Sequence, residues 1–219
     1  MIAWRPYGEC GLIALNLSES DRIQLVERFD RWLPDQCEEP VFGYDSCLLI
    51  TRQRLTRPLL DQIVQEIDER QKGITLLTRD RGGRKIQEIV VSYDGCDLQS
   101  TATQLQLTTQ ELINLHTEPV YTVRFCGFAP GFVYLDGLDA RLSIPRREQP
   151  RLSVAAGSIA IGGNHAGIYS TKSPGGWHLL GSTKEPLFSL ESAEKKNPQE
   201  WLRSFSLKTG DCVRFVERI

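Results

Sequence analysis

The chain has 219 residues and a formal net charge of −2, from 26 basic and 28 acidic side chains, with 40% hydrophobic and 25% charged residues. This balance suits one large or two small globular domains and excludes a strong pull toward nucleic acid or an anionic membrane surface. No apolar run reaches the roughly 18 to 20 residues of a spanning helix, and MIAWRPYGEC lacks the pattern of a signal peptide, so a cytoplasmic protein without nucleic-acid or membrane partners is expected.

Taken in order, Gly11 to Leu17 reads as a short apolar strand. Ser18 and Asp21 have the form of a helix start, and Leu25, Phe29 and Trp32 or Leu33 then recur at helical spacing up to Pro34. Val41 to Tyr44 and Cys47 to Thr51 read as two strands joined at Asp45-Ser46. Thr56 and Pro58 open a second helix with an apolar face of Leu60, Ile63, Val64 and Ile67, closed by Gly73. Ile74 to Thr78 follows as a strand. The order β-α-β-β-α-β is the split βαβ, ferredoxin-like pattern. Arg79 to Lys85 carries charge and glycine without apolar residues, which suits a linker better than a basic binding loop.

After that linker, Ile86 to Tyr93 reads as a strand. Asp97 suits the cap of a short helix reaching Leu105, and Thr108 with Glu111 forms a capping box for the next. Beyond Glu118-Pro119 come at least six short strands punctuated by Gly and Pro, the pattern of a sandwich or a closed barrel. The fold class is therefore α+β, with domains at 1–85 and 86–219.

The six cysteines are scattered with no C-x-x-C pair, so zinc-ribbon and thioredoxin readings fail and buried reduced thiols are expected; Cys126 stands out by its place among the motifs. There is no G-x-x-x-x-G-K-[ST], G-x-S-x-G or H-E-x-x-H, and His116, His165 and His178 fit no common metal spacing. Ser158 has no evident His and Asp partners. The chain alone does not read as a complete enzyme, and no metal is expected in it.

Chemistry concentrates between Tyr121 and Thr183. IPRREQPR places Arg146, Arg147 and Arg151 in a loop stiffened by Pro145 and Pro150, which is either an anion clamp or a solvated turn. GFAPGF sets Phe128, Pro130, Gly131 and Phe132 around a tight turn, forming a pocket wall, an interface anchor or a hydrophobic corner. In IGGNHAGIY, Gly162, Gly163 and Gly167 allow close backbone approach, and His165 can serve as a hydrogen-bond donor or general acid/base, or as neither. Trp177 in SPGGW supplies an apolar wall with one N–H.

These motifs, GFAPGFVYLDGLD, IPRREQPR, AAGSIAIGG, GIY and SPGGW, closely resemble in order and spacing the carboxyltransferase C/D subdomain family. That family includes the B-type subunit of 5-oxoprolinase, the Kip inhibitor of a sporulation histidine kinase, and proteins labelled allophanate hydrolase subunit 1. The resemblance is strong from about Gln87 onward. It implies a cyclophilin-like β-barrel for the second domain and a subunit of an ATP-dependent 5-oxoprolinase, which opens 5-oxoproline to glutamate. The implied partners are a larger C/D-type subunit and an A subunit, with ATP bound by the complex rather than by a motif of this chain.

On this resemblance, His165 and Tyr169 are the catalytic candidates. Arg146 and Arg151 would hold anionic oxygens, and Phe128, Pro130, Gly131, Gly163 and Trp177 would complete the substrate pocket. A different implied role is a docking protein that inhibits a histidine kinase without turnover. Carboxyl transfer to urea ranks last, because this chain has neither a biotin-carrier nor a carboxylase segment. Several positions depart from the family pattern. Val154-Ala155-Ala156-Gly157 stands for V-P-A-G, His165 for Gln, Tyr169-Ser170 for Y-P, and Gly181-Ser182-Thr183-Lys184 for G-R-T-P. They bear on the substrate and leave the fold untouched.

Overall fold

A computed structural model describes residues 2–29, 31–38, 40–72, 86–189 and 205–218. The chain divides into two compact units, Met1–Gly83 and Arg84–Ile219.

The first unit contains β1 (Trp4–Pro6), β2 (Gly11–Ala14), α1 (Glu19–Phe29), β3 (Val41–Phe42), β4 (Cys47–Ile50) and α2 (Arg57–Lys72). The sheet order is β1-β2-β4-β3 with antiparallel neighbours, so β2 and β3 run parallel on either side of β4 and α1 joins them as a split βαβ. The strand expected at 74–78 and the linker at 79–85 lie outside the described residues, and with them the second half of the ferredoxin-like pattern. The edge strand β1 is not foreseen by the sequence pattern: its three residues are too few to show an alternation. Trp4, Ala14, Cys47 and Phe42 form one cross-strand row and are buried. Both helices start on side-chain caps. The Asp21 N–H donates to Ser18 Oγ at 3.1 Å, and the Leu59 N–H to Thr56 Oγ1 at 3.4 Å. Among the described residues the helix read as reaching Leu33 ends at Phe29; beyond it the Arg31 and Trp32 N–H groups both donate to the Arg28 oxygen in a turn, and Pro34 keeps Leu33 from rejoining the helix.

In the second unit, β5 (Ile86–Val91), α3 (Leu98–Gln104) and α4 (Thr109–Thr117) precede eight strands. These are β6 (Tyr121–Cys126), β7 (Val133–Asp136), β8 (Arg151–Val154), β9 (Ser158–Gly162), β10 (His165–Ile168), β11 (Ser173–Gly175), β12 (His178–Ser182) and β13 (Cys212–Glu217). Seven strands form one sheet in the order β12-β9-β10-β7-β6-β13-β5. Its two ends meet where Ser92 and Ser182 exchange backbone hydrogen bonds of 2.8 Å, giving a nearly closed barrel. Gly181 permits that closure, since a Cβ there would lie 2.3 Å from the Ser92 carbonyl oxygen. Alternate residues of each strand point inward. Val123, Leu135, Ile161, Ile168 and Phe215 thereby fill the core, with Leu112 and Leu115 of α4 packed into it. The Thr108–Glu111 capping box forms in full. Among the described residues, strands β8 and β11 pair only with each other.

Candidate functional site

Strand alternation gives the barrel a second, outward set of side chains. On β7 and β10, Val133, Leu135, Ala166 and Ile168 point into the core, so Tyr134, Asp136, His165 and Gly167 lie on the other face. There Phe132, Val154, Ala160, Tyr169 and Trp177 form a small separate cluster, with Tyr134 and Leu179 against it. Val154 belongs to β8, so the two-stranded ribbon closes over this face.

The cluster is built around the Trp177 indole. Phe132 meets it edge-on at 5.7 Å between centroids, and Tyr134 at 5.6 Å. Tyr134 stacks in turn on Phe125 at 4.2 Å. Gly162 and Gly167 lie against the indole, and a Cβ on them would stand 2.9 and 2.8 Å from ring atoms. This close approach, rather than a turn, explains Gly162 and Gly167. Tyr169 is buried, and its hydroxyl accepts the Trp177 backbone N–H. Burial raises its phenol above the usual range against the opposing pull of that bond.

Arg146 is exposed, and its guanidinium carbon sits 5.5 Å from the Trp177 ring centre. No acidic side chain among the described residues lies within ion-pair distance of it. The backbone around it is held on both sides. His178 Nε2 lies 3.0 Å from the Pro145 carbonyl oxygen, and the Arg147 N–H donates to the Gly176 oxygen at 2.8 Å. Arg151, expected as a second free clamp, is instead committed to a carboxylate. Its Nη2 donates to Asp97 Oδ1 at 2.7 Å, where Arg147 Nη1 also arrives at 3.1 Å. Burial opposes the Asp97 charge, yet the bonds from Arg151 and the Leu179 N–H, with Arg147 nearby, hold its carboxyl below the usual range.

The polar end of the face is a chain of three residues. Arg124 Nη1 lies 3.0 Å from Asp136 Oδ2, and Asp136 Oδ1 lies 3.1 Å from His165 Nδ1. His165 is thus two residues along β10 from the glycine beneath Trp177. Gly163 stands at the tip of the β9–β10 hairpin with φ +63°, and it exchanges backbone hydrogen bonds with Ile144. Pro130 accepts from the Ser170 hydroxyl, and Gly131, at φ +74°, has no room for a Cβ beside Phe188. Phe128 adopts φ +72°, rare for a bulky side chain, and remains 64% exposed with its edge to Phe132 at 5.6 Å.

The structure therefore joins Arg146, Trp177, Tyr169 and, through Phe132, Phe128 into one contiguous set, with His165 on the same sheet face. Tyr169 is a buried support for Trp177. Sequence reasoning missed Asp97, Arg124, Asp136, Tyr134 and Phe125 as parts of this face. Asp97 has the sequence context of a helix cap, but its side chain makes no cap bond because the arginines and Leu179 take it. His116 belongs to the core: it is fully buried, its Nδ1 is 2.7 Å from the Tyr93 hydroxyl, and burial pushes it down to about 3. The expectation of buried thiols holds for Cys37, Cys47 and Cys212 and fails for Cys10 and Cys96, which are exposed. Cys96 lies 3.3 Å from Arg151 Nη2. Among the described residues no group of three or more His, Cys, Asp or Glu could hold a metal, and no helix is long and apolar enough to cross a membrane.

The family model for the carboxyltransferase domain, subdomain C and D, matches residues 5–198. A relative from Haemophilus influenzae, named as the B-type subunit of 5-oxoprolinase, is 43% identical over 157 residues, covering 70% of this chain and 68% of the relative. The Bacillus subtilis protein of the same name is 42% identical over 136 residues, 61% of this chain and 53% of that one. The matched part of the chain thus spans between about half and two thirds of these relatives. Among solved structures, TTHA0988 is similar with a TM-score of 0.73 and 32% identity over 95% of this chain and 40% of that one. PH0987 from Pyrococcus horikoshii gives 0.54 and 30% over 99% and 97%. The Kluyveromyces lactis urea carboxylase gives 0.67 at 17% identity over 100% of this chain and 22% of that one, a likeness of fold alone.

Proposed function

The chain belongs to the carboxyltransferase subdomain C and D family, and from that premise we propose that it is the B-type subunit of an ATP-dependent 5-oxoprolinase. In this reading ATP transfers its terminal phosphoryl group to the oxygen of the lactam carbonyl, whose carbon is otherwise a poor electrophile, and releases ADP; two waters then open the C–N bond and release phosphate to give glutamate. The names of the curated relatives support it. The observation that carries it in this molecule is Arg146, exposed over Trp177 on a pinned loop with no acidic partner among the described residues. A guanidinium fixed beside an aromatic wall suits a carboxylate on a compact ring. His165, with Asp136 beside it and Arg124 behind, is the candidate to donate to the lactam oxygen or to move a proton.

The nucleotide is assigned to the partners. The chain has no G-x-x-x-x-G-K-[ST] sequence, and two of the three arginines at 146–151 are paired with Asp97, so its residues fit a triphosphate poorly. A larger C/D-type subunit and an A subunit would supply the rest of the site in a cytoplasmic complex. A second reading, a docking protein for a histidine kinase, draws support from Phe128 at 64% and Leu152 at 94% exposure. One assay separates them: glutamate release from 5-oxoproline and ATP by the A and C partners, with and without this chain. Release that requires the chain is expected. Partners that bind it without releasing glutamate would make 5-oxoproline the wrong substrate, and partners that neither bind nor turn over would favour the kinase reading.

A further inference from the structure

We infer that Asp97 is the positioning residue of the Arg146–Trp177 clamp, setting from α3 the geometry of a cation 49 positions away in sequence. The inference takes the clamp's role in carboxylate binding from the reading above; the positioning itself stands on geometry.

Asp97 stands at the N-terminus of α3, where an Asp side chain ordinarily accepts an N–H of the first helical turn. It makes no such bond. Its two oxygens face the other way. Oδ1 takes Arg151 Nη2 at 2.7 Å and Arg147 Nη1 at 3.1 Å, and Oδ2 takes the Leu179 N–H at 2.8 Å. These donors flank the two halves of the clamp. Arg147 is the neighbour of Arg146, Arg151 closes the same loop, and Leu179 is two residues beyond Trp177. One nearly sealed carboxylate thus ties the segment that carries the cation to the segment that carries the ring.

The remaining loop contacts are bonds between His178 and Pro145 and between Arg147 and Gly176, both across the same seam. None of them reaches the far end of the loop at Arg151. Without Asp97, that end keeps the strand pairing of β8 with β11 and the weak 3.3 Å contact of Arg151 Nη2 with Cys96 Sγ. Two guanidinium groups would also face each other uncompensated, and their repulsion would open the loop beneath Arg146. Bringing a buried carboxylate, two arginines and a strand N–H together is a costly way to hold a surface turn. It is intelligible where the position of Arg146 matters to within a fraction of an ångström.

The test uses the full chain, as Asp97→Asn and as Arg151→Gln. Asn keeps the size but turns one acceptor into a donor; Gln removes the loop-end cation and leaves the Asp97–Leu179 bond in place, so it decides the matter should the first variant fail to fold. The Arg146 Nε–H resonance, displaced by the ring current of Trp177, reports position without any substrate. It is expected to move to its solvent value in both folded variants. In the reconstituted complex, KM for 5-oxoproline is expected to rise about tenfold with kcat held within about twofold. Asp97→Asn should add nothing to KM in an Arg146→Ala background. An unmoved Arg146 resonance in both folded variants, or an equal rise of KM in the Arg146→Ala background, overturns the inference. A moved resonance with unchanged KM upholds the positioning and removes Arg146 from substrate binding.

Discussion

The second unit contains two aromatic clusters, one inside the barrel and one on its outer face, each with a titratable or charged side chain against its rings. Inside, His116 stacks on Phe215 at 4.5 Å and meets Tyr93 and Tyr121 within 6 Å. Outside, Arg146 lies over Trp177, and Trp177 touches Phe132 and Tyr134 at similar distances. The inner contact to Phe215 is stacked and the outer contacts to Trp177 are edge-on, and the fate of the polar group differs as well. The inner one is sealed and held neutral by burial; the outer one stays open, and Arg147 and Arg151 beside it, rather than its own guanidinium, are tied to a carboxylate. His116 has a partner at Nδ1 and none at its buried Nε2, so burial keeps the ring uncharged, whereas a binding group must be held with its own bonds unmade.

The largest expected effect breaks the inner cluster by protonation. His116 is held near 3, below its ordinary 6.5, so the unfolded chain takes up a proton that the native one refuses as pH falls between those values. Its stabilisation is complete above 6.5 and is lost downward toward 3, a total of roughly 4 to 5 kcal/mol. Urea midpoints at pH 7, 5.5 and 4 should show this fall, and His116→Phe should flatten it. Asp97, with its lowered carboxyl, adds a further loss at still lower pH.

Trp177→Ala comes next. It removes a side chain only 4% exposed and leaves Gly162 and Gly167 facing a void, which should cost about 3 to 5 kcal/mol by denaturant unfolding. Phe128→Gly should change stability by less than about 1 kcal/mol, because relief of the φ +72° strain offsets the lost contact with Phe132. A loss of core size would instead make Phe128 a structural residue like Phe132. Arg146→Ala should have a similarly small effect on stability, about 0.5 to 1 kcal/mol for an exposed cation–π contact. Its effect on KM for 5-oxoproline in the reconstituted complex should exceed tenfold, which is the sharpest form of the contrast between the clusters.

The parts of the fold legible in the sequence were those with local causes. The capping box at Thr108 and Glu111, the helix at Thr56 and the strand-rich second half all rest on residues within one turn or one strand of each other. The edge strand at Trp4 was not legible, because three residues carry no periodicity. The motif residues of the candidate site could be named from the sequence, but their division of labour could not. Arg146 and Arg151 look alike in IPRREQPR and differ in the structure because Asp97, more than 50 residues from Arg151, pairs with Arg147 and Arg151 and leaves Arg146 over Trp177.

The sequence by itself determined the two-part α+β organisation, the barrel-like strand pattern and the family, because composition, short-range caps and ordered motifs are properties of the chain. Tertiary structure alone decided that Trp177 rests on two glycines, that Tyr169 is a buried support, that His165 faces Asp136 and that one arginine of the pair stays free. Those outcomes depend on which faces the barrel turns outward and on which distant carboxylate arrives there, and such contacts arise only when the strands have closed.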